Sequence, residues 1–242
     1  YADTLTELLQ NLSGSIEDAS GSVYATERPV QKVLLVAITS NRGLCGGFNS
    51  NIIKEVSAQS VGKYESKQVD VFTIGKKGND ILSKDFSVAD NRGDVFEELT
   101  FANVATVADQ LMALYASGAY DRIDLVYNRF KNAATQIVTA EQFLPIVPVA
   151  AETASNSDYI YEPAQEEIVS TLIPKALKTQ LFKALRDSFA SEHGARMTAM
   201  HKATDNATEL RDQLKLTYNK ARQAAITNEI LEIVGGAEAL NG

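Results

Sequence analysis

Residues 182–225, FKALRDSFASEHGARMTAMHKATDNATELRDQLKLTYNKARQAA, hold apolar or small side chains at every third or fourth position without a break. Twelve such steps cover 43 positions (225 minus 182), or about 3.6 residues per step, which is the period of an α-helix. No proline follows Pro174, so the sequence predicts one very long helix. The positions of its apolar stripe are Phe182, Leu185, Phe189, His193, Met197, Met200, Ala203, Ala207, Leu210, Leu214, Tyr218, Ala221 and Ala225.

The length of this helix implies that it cannot lie within a compact body. At 1.5 Å per residue, ~60 helical residues span roughly 90 Å. A compact domain formed by a chain of this size has a radius of gyration of about 18 Å. We therefore expect the helix to project from the folded body and its apolar stripe to be buried by a partner.

The residues before the long helix alternate between strand and helix patterns. Val33–Ile38 is a continuous apolar run typical of a buried parallel strand, and Val69–Ile74 predicts a second strand. Asn103–Ala116 has the spacing of an amphipathic helix, and Ile123–Phe130 and Gln136–Leu144 alternate like two antiparallel strands. The pattern predicts an α/β fold, a Rossmann-like layered domain with a mostly parallel sheet.

The domain organisation follows from these patterns. We assign residues 1–164 to the α/β domain and residues 165–242 to the long C-terminal helix. Tyr1–Gly14 carries leucines at helical spacing and is interpreted as the end of an earlier helix. Pro145–Pro163 shows no regular pattern and is expected to lead into the long helix.

Composition and charge argue against several classes of protein. The formal net charge of −8 argues against a nucleic-acid-binding protein. No window approaches the ~18 consecutive apolar residues of a membrane span, and Tyr1–Leu5 does not resemble a signal peptide. The single Cys45 cannot form an internal disulfide, which fits a reducing compartment. We interpret His193 and His201 as seam or surface residues rather than metal ligands, and no catalytic motif is present.

A glycine-rich segment, Ser40–Asn49, follows the first predicted strand, and we call it the glycine loop. Doubly wound proteins bind phosphates at this position, but these glycines match neither of the common phosphate-binding spacings. We therefore favour a tight turn that needs positive φ, and a nucleotide-binding α/β enzyme stays the alternative. Asn49 or Ser50 is expected to cap the following helix, and Cys45, despite the nearby Arg42, to be a small buried hydrophobe.

Basic residues gather near the end of the long helix, before an apolar tip between Ala224 and Leu240. Such a cluster is either a solvated helix face or a docking surface for an acidic partner. A projecting helix with an apolar end is expected to insert into another protein. The cluster, which we call the basic collar, consists of Arg211, Lys215, Lys220 and Arg222.

Several segments carry a family signature. They are ITSNRGLCGGFN at 38–49, SEHGARM at 191–197, ATDNA at 203–207, and YNKARQAAITNEI at 218–230 followed by EIV at 232–234. DYIYEP at 158–163 also fits. Together these segments cover both ends of the chain, and they closely resemble the gamma subunit of F-type ATP synthase.

The resemblance implies a non-catalytic rotor shaft that needs no cofactor. In that family the C-terminal helix is half of an antiparallel coiled coil inside a ring of three alpha and three beta subunits, and its rotation carries torque between the proton-driven membrane ring and the catalytic beta subunits. The resemblance also implies that the basic collar pairs with an acidic loop of the beta subunits. By position, Arg222, Gln223 and Thr227 match residues that contact the beta subunits, whereas Tyr159, Tyr161 and Glu162 match the region facing the epsilon subunit and the membrane ring.

The resemblance also has a gap, because the N-terminal helix of the family has no counterpart before Tyr1. It implies a peripheral protein on the cytoplasmic face of the bacterial inner membrane, without direct insertion. From the residues alone two other functions stay open: a nucleotide-binding α/β enzyme, and a coiled-coil scaffold that self-associates through the long helix.

Overall fold

The computed structural model describes residues 23–146 and 165–241. The predicted end of a helix in Tyr1–Gly14 lies outside the described residues. None of the helices that the structure describes is long and apolar enough to cross a membrane. In chain order the elements are β1 (Lys32–Ile38), α1 (Phe48–Val61), β2 (Gln68–Ile74), α2 (Lys76–Leu82), β3 (Ser87–Asn91), a 3₁₀ helix (Gly93–Phe96), α3 (Phe101–Ala116), β4 (Arg122–Asn132), β5 (Thr135–Leu144) and α4 (Gln165–Asn241).

The five strands form one sheet in the order β3-β2-β1-β4-β5. Strands β3, β2, β1 and β4 are parallel to their neighbours, and β5 pairs antiparallel with β4. The predicted α/β class with a mostly parallel sheet is therefore confirmed. Strand β3 was not predicted from the sequence; it lies at the edge of the sheet and carries the polar sequence SVADN.

The core lies on both faces of β1. Every residue of Val33–Ile38 is completely buried, because neighbouring strands and helices on both sides exclude water. Leu34 belongs to one face, which packs against α3, whereas Val33 belongs to the other face with Ile52 and Val56 of α1. Burial of each such side chain stabilises the fold by ~1.5–3 kcal/mol, so β1 anchors the domain.

The first part of α4 belongs to this core. Ile173, Leu177, Leu181 and Leu185 are buried on the same face of the sheet as α3. The helix begins at Gln165 and continues through Pro174, because burial of the neighbouring residues offsets the ~3 kcal/mol cost of an interior proline.

The apolar stripe is therefore covered by the chain itself at its start. Leu185 is buried, and the ring of Phe189 stacks on Phe96 with 6.3 Å between the centroids. The ring of Phe182 meets that of Phe101 edge-on at 5.6 Å. The expectation that a partner must bury the whole stripe is wrong for this part, since the α/β domain buries it.

The chain divides into two compact units, of which the first ends at Thr198 and the second begins at Ala199. The second unit is helical to Asn241, and every residue from His201 to Ala239 is exposed. Within it, Leu214 of the apolar stripe has 60% of its surface exposed and Tyr218 has 65%.

Candidate functional site

The glycine loop is held by hydrogen bonds between its own side chains. The backbone N–H of Ser40 donates to Asn49 Oδ1 at 2.9 Å, and the Ser40 hydroxyl donates to the carbonyl of Arg42. Asn49 Nδ2 donates to Cys45 Sγ at 3.2 Å, and Cys45 is buried as predicted. The expected cap is wrong, because Gly47 occupies the N-cap of α1 and the Asn49 side chain turns back to Ser40.

The loop contains two residues with positive φ. Gly46 has a φ of 58°, which confirms the predicted tight turn. Leu44 has a φ of 62°, although this conformation costs roughly 1–2 kcal/mol for a residue with a side chain. The Leu44 side chain is 76% exposed, so no burial offsets that cost. Hydrogen bonds fix residues on both sides of Leu44, from the Ser40 hydroxyl to the carbonyl of Arg42 and from Asn49 Nδ2 to Cys45 Sγ.

A close backbone contact fastens the loop to the end of β2. Gly75 has a φ of 119°, and a Cβ atom there would lie 2.2 Å from the carbonyl oxygen of Thr39. The Thr39 hydroxyl accepts a hydrogen bond from the N–H of Gly78 at 3.0 Å. Asn41 Oδ1 accepts from the N–H of Lys76 at 3.0 Å. These contacts therefore attach the glycine loop to the start of α2.

Helix α4 contacts the glycine loop through Arg196, whose guanidinium also forms an ion pair within the helix. Arg196 Nη2 lies 2.7 Å from Glu192 Oε1, four residues earlier on the helix. The same guanidinium donates to the carbonyl of Gly43 from Nε at 3.4 Å and from Nη2 at 3.3 Å, and to the carbonyl of Arg42 at 3.4 Å. We call Arg196 together with Glu192 the Arg196 clamp. It joins α4 to a loop that lies more than 150 positions earlier in the chain.

The same part of α4 contacts the hairpin of β4 and β5. Ser191 Oγ donates to the carbonyl of Asn128 at 3.0 Å. The single hydroxyl proton of Thr198 lies between two acceptors, the carbonyl of Ala133 at 3.2 Å and that of Gly194 in its own helix at 3.1 Å. A Cβ atom at Gly194 would lie 3.0 Å from Ala133 Cα, so the glycine permits a close approach of helix and hairpin. From the sequence, residues 191–197 were recognisable only as a family signature, and no role was predicted for them.

A polar cleft of about 730 Å³ lies beside the glycine loop. Arg92 donates to both carboxylate oxygens of Asp94 at 3.1 and 3.2 Å, and this hydrogen bonding holds the pKa of Asp94 below its usual value. The cleft therefore carries three carboxylates and two basic groups. Its lining residues are Asn41, Lys76, Asn79, Asp80, Asn91, Arg92, Gly93, Asp94 and Glu97.

This geometry does not favour the alternative of a nucleotide site. The carbonyl oxygens of Arg42 and Gly43 point at Arg196, so the loop presents acceptors there, where a phosphate needs donors. The carboxylates of the cleft outnumber its basic groups, and Arg92 is already paired with Asp94, so the cleft offers a phosphate no surplus of positive charge. We conclude that the glycine loop is an attachment point for α4.

The basic collar occupies two faces of α4. At 100° per residue, Arg211, Lys215 and Arg222 lie within about 40° of one another and border the apolar stripe, whereas Lys220 lies about 180° from Arg211. Arg211 pairs with its neighbour Asp212 at 2.9 Å. In the part of the chain that the structure describes, Lys215, Lys220 and Arg222 form no ion pair, so three of the four charges are available to a partner.

The other predicted site residues fall into two groups. Gln223 and Thr227 are exposed and lie within about 60° of Lys220, so they share its face and not that of Arg222. Tyr159, Tyr161 and Glu162 lie outside the described residues. The structure thus places Arg222 on one face of the helix, and Gln223 and Thr227 on another.

Comparison with known proteins gives the family. A family model described as ATP synthase matches residues 1–240. The ATP synthase gamma chain of Flavobacterium johnsoniae is 70% identical over 243 aligned residues, which cover 100% of this chain and 85% of that protein. The gamma chain of Christiangramia forsetii is 62% identical with the same coverage.

Solved structures resemble the fold. A chain in a mitochondrial ATP synthase structure of Euglena gracilis superposes with a TM-score of 0.68 at 22% identity, over 99% of this chain and 88% of that one. At this level of identity the likeness shows the fold alone. Because the family model matches nearly the whole chain and relatives are 62–70% identical along its full length, this chain belongs to the ATP synthase gamma chain family.

Proposed function

We propose that this chain is the central-stalk subunit, or rotor shaft, of an F-type ATP synthase, and that it transmits torque between the proton-driven membrane ring and the catalytic beta subunits. One observation carries the proposal beyond family membership: every residue of the helix from His201 to Ala239 is exposed, including Leu210 and Leu214 of the apolar stripe. Exposed leucines aligned along one helix face are suited to burial by a partner.

In this proposal different partners contact different faces of the helix. A second helix covers the apolar stripe as an antiparallel coiled coil, within a ring of alpha and beta subunits. Arg222, Gln223 and Thr227 contact the beta subunits, and the basic collar meets an acidic surface there. Exposed ion pairs contribute only ~0.2–1 kcal/mol each, so such contacts break and form again as the helix turns.

The α/β domain has a different set of partners in this proposal. Tyr159, Tyr161 and Glu162 face the epsilon subunit and the membrane ring. The protein is peripheral, on the cytoplasmic face of the bacterial inner membrane. The shaft performs no catalysis and needs no cofactor, because its task is mechanical. Residues 1–164 form the α/β domain and residues 165–242 the long helix.

We expect Arg222→Ala to lower the coupling between rotation and ATP turnover by up to about fivefold, since one exposed ion pair is worth ~0.2–1 kcal/mol. The measurement uses the complete gamma chain reconstituted with alpha and beta subunits, and compares ATPase activity with rotation rate. Lys202→Ala is the matched control, because it removes an exposed charge from the same helix outside the collar. Unchanged assembly, coupling and rotation in Arg222→Ala would remove Arg222 from the proposed contact.

A second candidate role is supported by the same exposed stripe, which also fits a second copy of this chain. In that case the isolated protein forms a dimer through α4 and is a self-associating coiled-coil scaffold. Light scattering across a range of concentrations measures the mass of the isolated chain. A dimer that persists when alpha and beta subunits are added would favour the scaffold over the shaft.

A further inference from the structure

We propose that Arg196 is a positioning residue that prevents α4 from turning within its own α/β domain. This inference rests on the proposed function, because a shaft passes torque to its domain only where the two cannot rotate against each other. Two sets of contacts hold α4 here. The Arg196 clamp contacts the glycine loop, and Ser191, Gly194 and Thr198 contact the β4–β5 hairpin.

The two sets of contacts lie on opposite sides of the helix. At 100° per residue, Ser191, Gly194 and Thr198 fall within about 60° of one another, and Glu192 and Arg196 lie about 150° from the centre of that group. A helix held on one side pivots about that contact. A helix held on two opposite sides resists rotation about its own axis, since each contact opposes the movement that the other permits.

The clamp is suited to this task because neither of its ends moves freely. Glu192 is nearly buried, with 10% of its side chain exposed, and it orients the guanidinium of Arg196. The carbonyls that accept from Arg196 belong to a loop whose residues Ser40 and Asn49 are bound to each other. A planar guanidinium reaches two carbonyls at once, which a lysine ammonium on a flexible chain does less well.

The position of the contacts along the chain matters as well. Thr198 makes the last of the hairpin contacts and is also the last residue of the first compact unit. Torque that passes along the backbone of α4 from the residues beyond Thr198 therefore reaches these contacts before it reaches the core contacts of Leu185 and Leu181. Their stiffness limits how closely the domain follows the shaft.

The test measures angular fluctuation in the assembled complex. The complete gamma chain, with Val61→Cys in the exposed end of α1, is assembled with alpha and beta subunits, and a gold particle on that cysteine reports the angle of the α/β domain. We expect Arg196→Met to raise the variance of this angle during catalytic pauses up to roughly twofold, because one of the two restraints near Thr198 is lost while the core contacts of Leu181 and Leu185 remain. Arg196→Lys should recover part of the loss, and Thr198→Val should broaden the distribution in the same direction.

The control and the other outcomes separate this inference from the proposed function. Arg186→Met removes an exposed arginine from the same helix and should leave the variance unchanged. If the assembled wild type rotates, and Arg196→Met and Thr198→Val both show the same angular variance as the wild type, the role of the clamp is overturned and the proposed shaft function stands. Equal broadening in Arg186→Met would also overturn it. A wild-type assembly that never rotates would refute the proposed function itself.

Discussion

Replacing Gly75 by alanine is expected to destabilise the α/β domain by about 3–5 kcal/mol, because two costs add. The φ of 119° is a conformation that side chains rarely adopt, at a cost of ~1–3 kcal/mol. The new Cβ would also lie 2.2 Å from the carbonyl oxygen of Thr39, which is backbone and cannot rotate away. Denaturant unfolding of the isolated chain, followed by circular dichroism, measures the change.

Gly118→Ala is the matched control for this substitution. Gly118 also has a positive φ, of 76°, but the nearest atom to a Cβ there is Arg28 Nη1 at 3.5 Å, the end of a flexible side chain. Its expected cost is the conformational part alone, ~1–2 kcal/mol. A Gly75→Ala variant no less stable than Gly118→Ala would show that the contact with Thr39 relaxes without cost.

The elements that could be predicted from the sequence are those that are buried in the domain, because burial determines the spacing of their apolar residues. Val33–Ile38 is apolar throughout because β1 is buried on both faces, so its pattern could not be mistaken. Helix α3 has both the spacing and a cap, since the Thr100 side chain accepts from the N–H of Asn103. Strand β3 gave no such signal, because it lies at the edge and only one neighbour contributes to its burial.

The candidate site could be predicted only where its geometry is local. The positive φ at Gly46 follows from a run of glycines, but the contact of Arg196 with Gly43 joins residues 153 positions apart. The one local signal was the spacing of Glu192 and Arg196, which places both on one helix face. The cap at Asn49 was wrong for a related reason: a neighbouring backbone N–H, that of Ser40, binds the same side-chain oxygen.

Leu214→Glu in the complete gamma chain is expected to weaken assembly with the alpha and beta subunits by at least about 100-fold. Leu214 is on the apolar stripe and 60% exposed, so the isolated chain should keep its stability within ~0.5 kcal/mol. In the assembled shaft the substitution removes ~1.5–3 kcal/mol of apolar burial and places a carboxylate in the seam, and each 1.4 kcal/mol lowers affinity about tenfold. Titration of gamma into alpha and beta subunits, read by ATPase activity and native mass, measures the loss.

Leu216→Glu tests whether the face or merely the charge decides this result. Leu216 is 63% exposed, almost the same as Leu214, but it lies about 160° away around the helix and off the stripe. Both variants add one negative charge to the same turn of α4, so their difference measures the seam alone. We expect Leu216→Glu to weaken assembly less than tenfold. Equal losses in the two variants would mean that charge on this part of the helix governs assembly, and no loss in either would leave the apolar stripe without a partner in the complex.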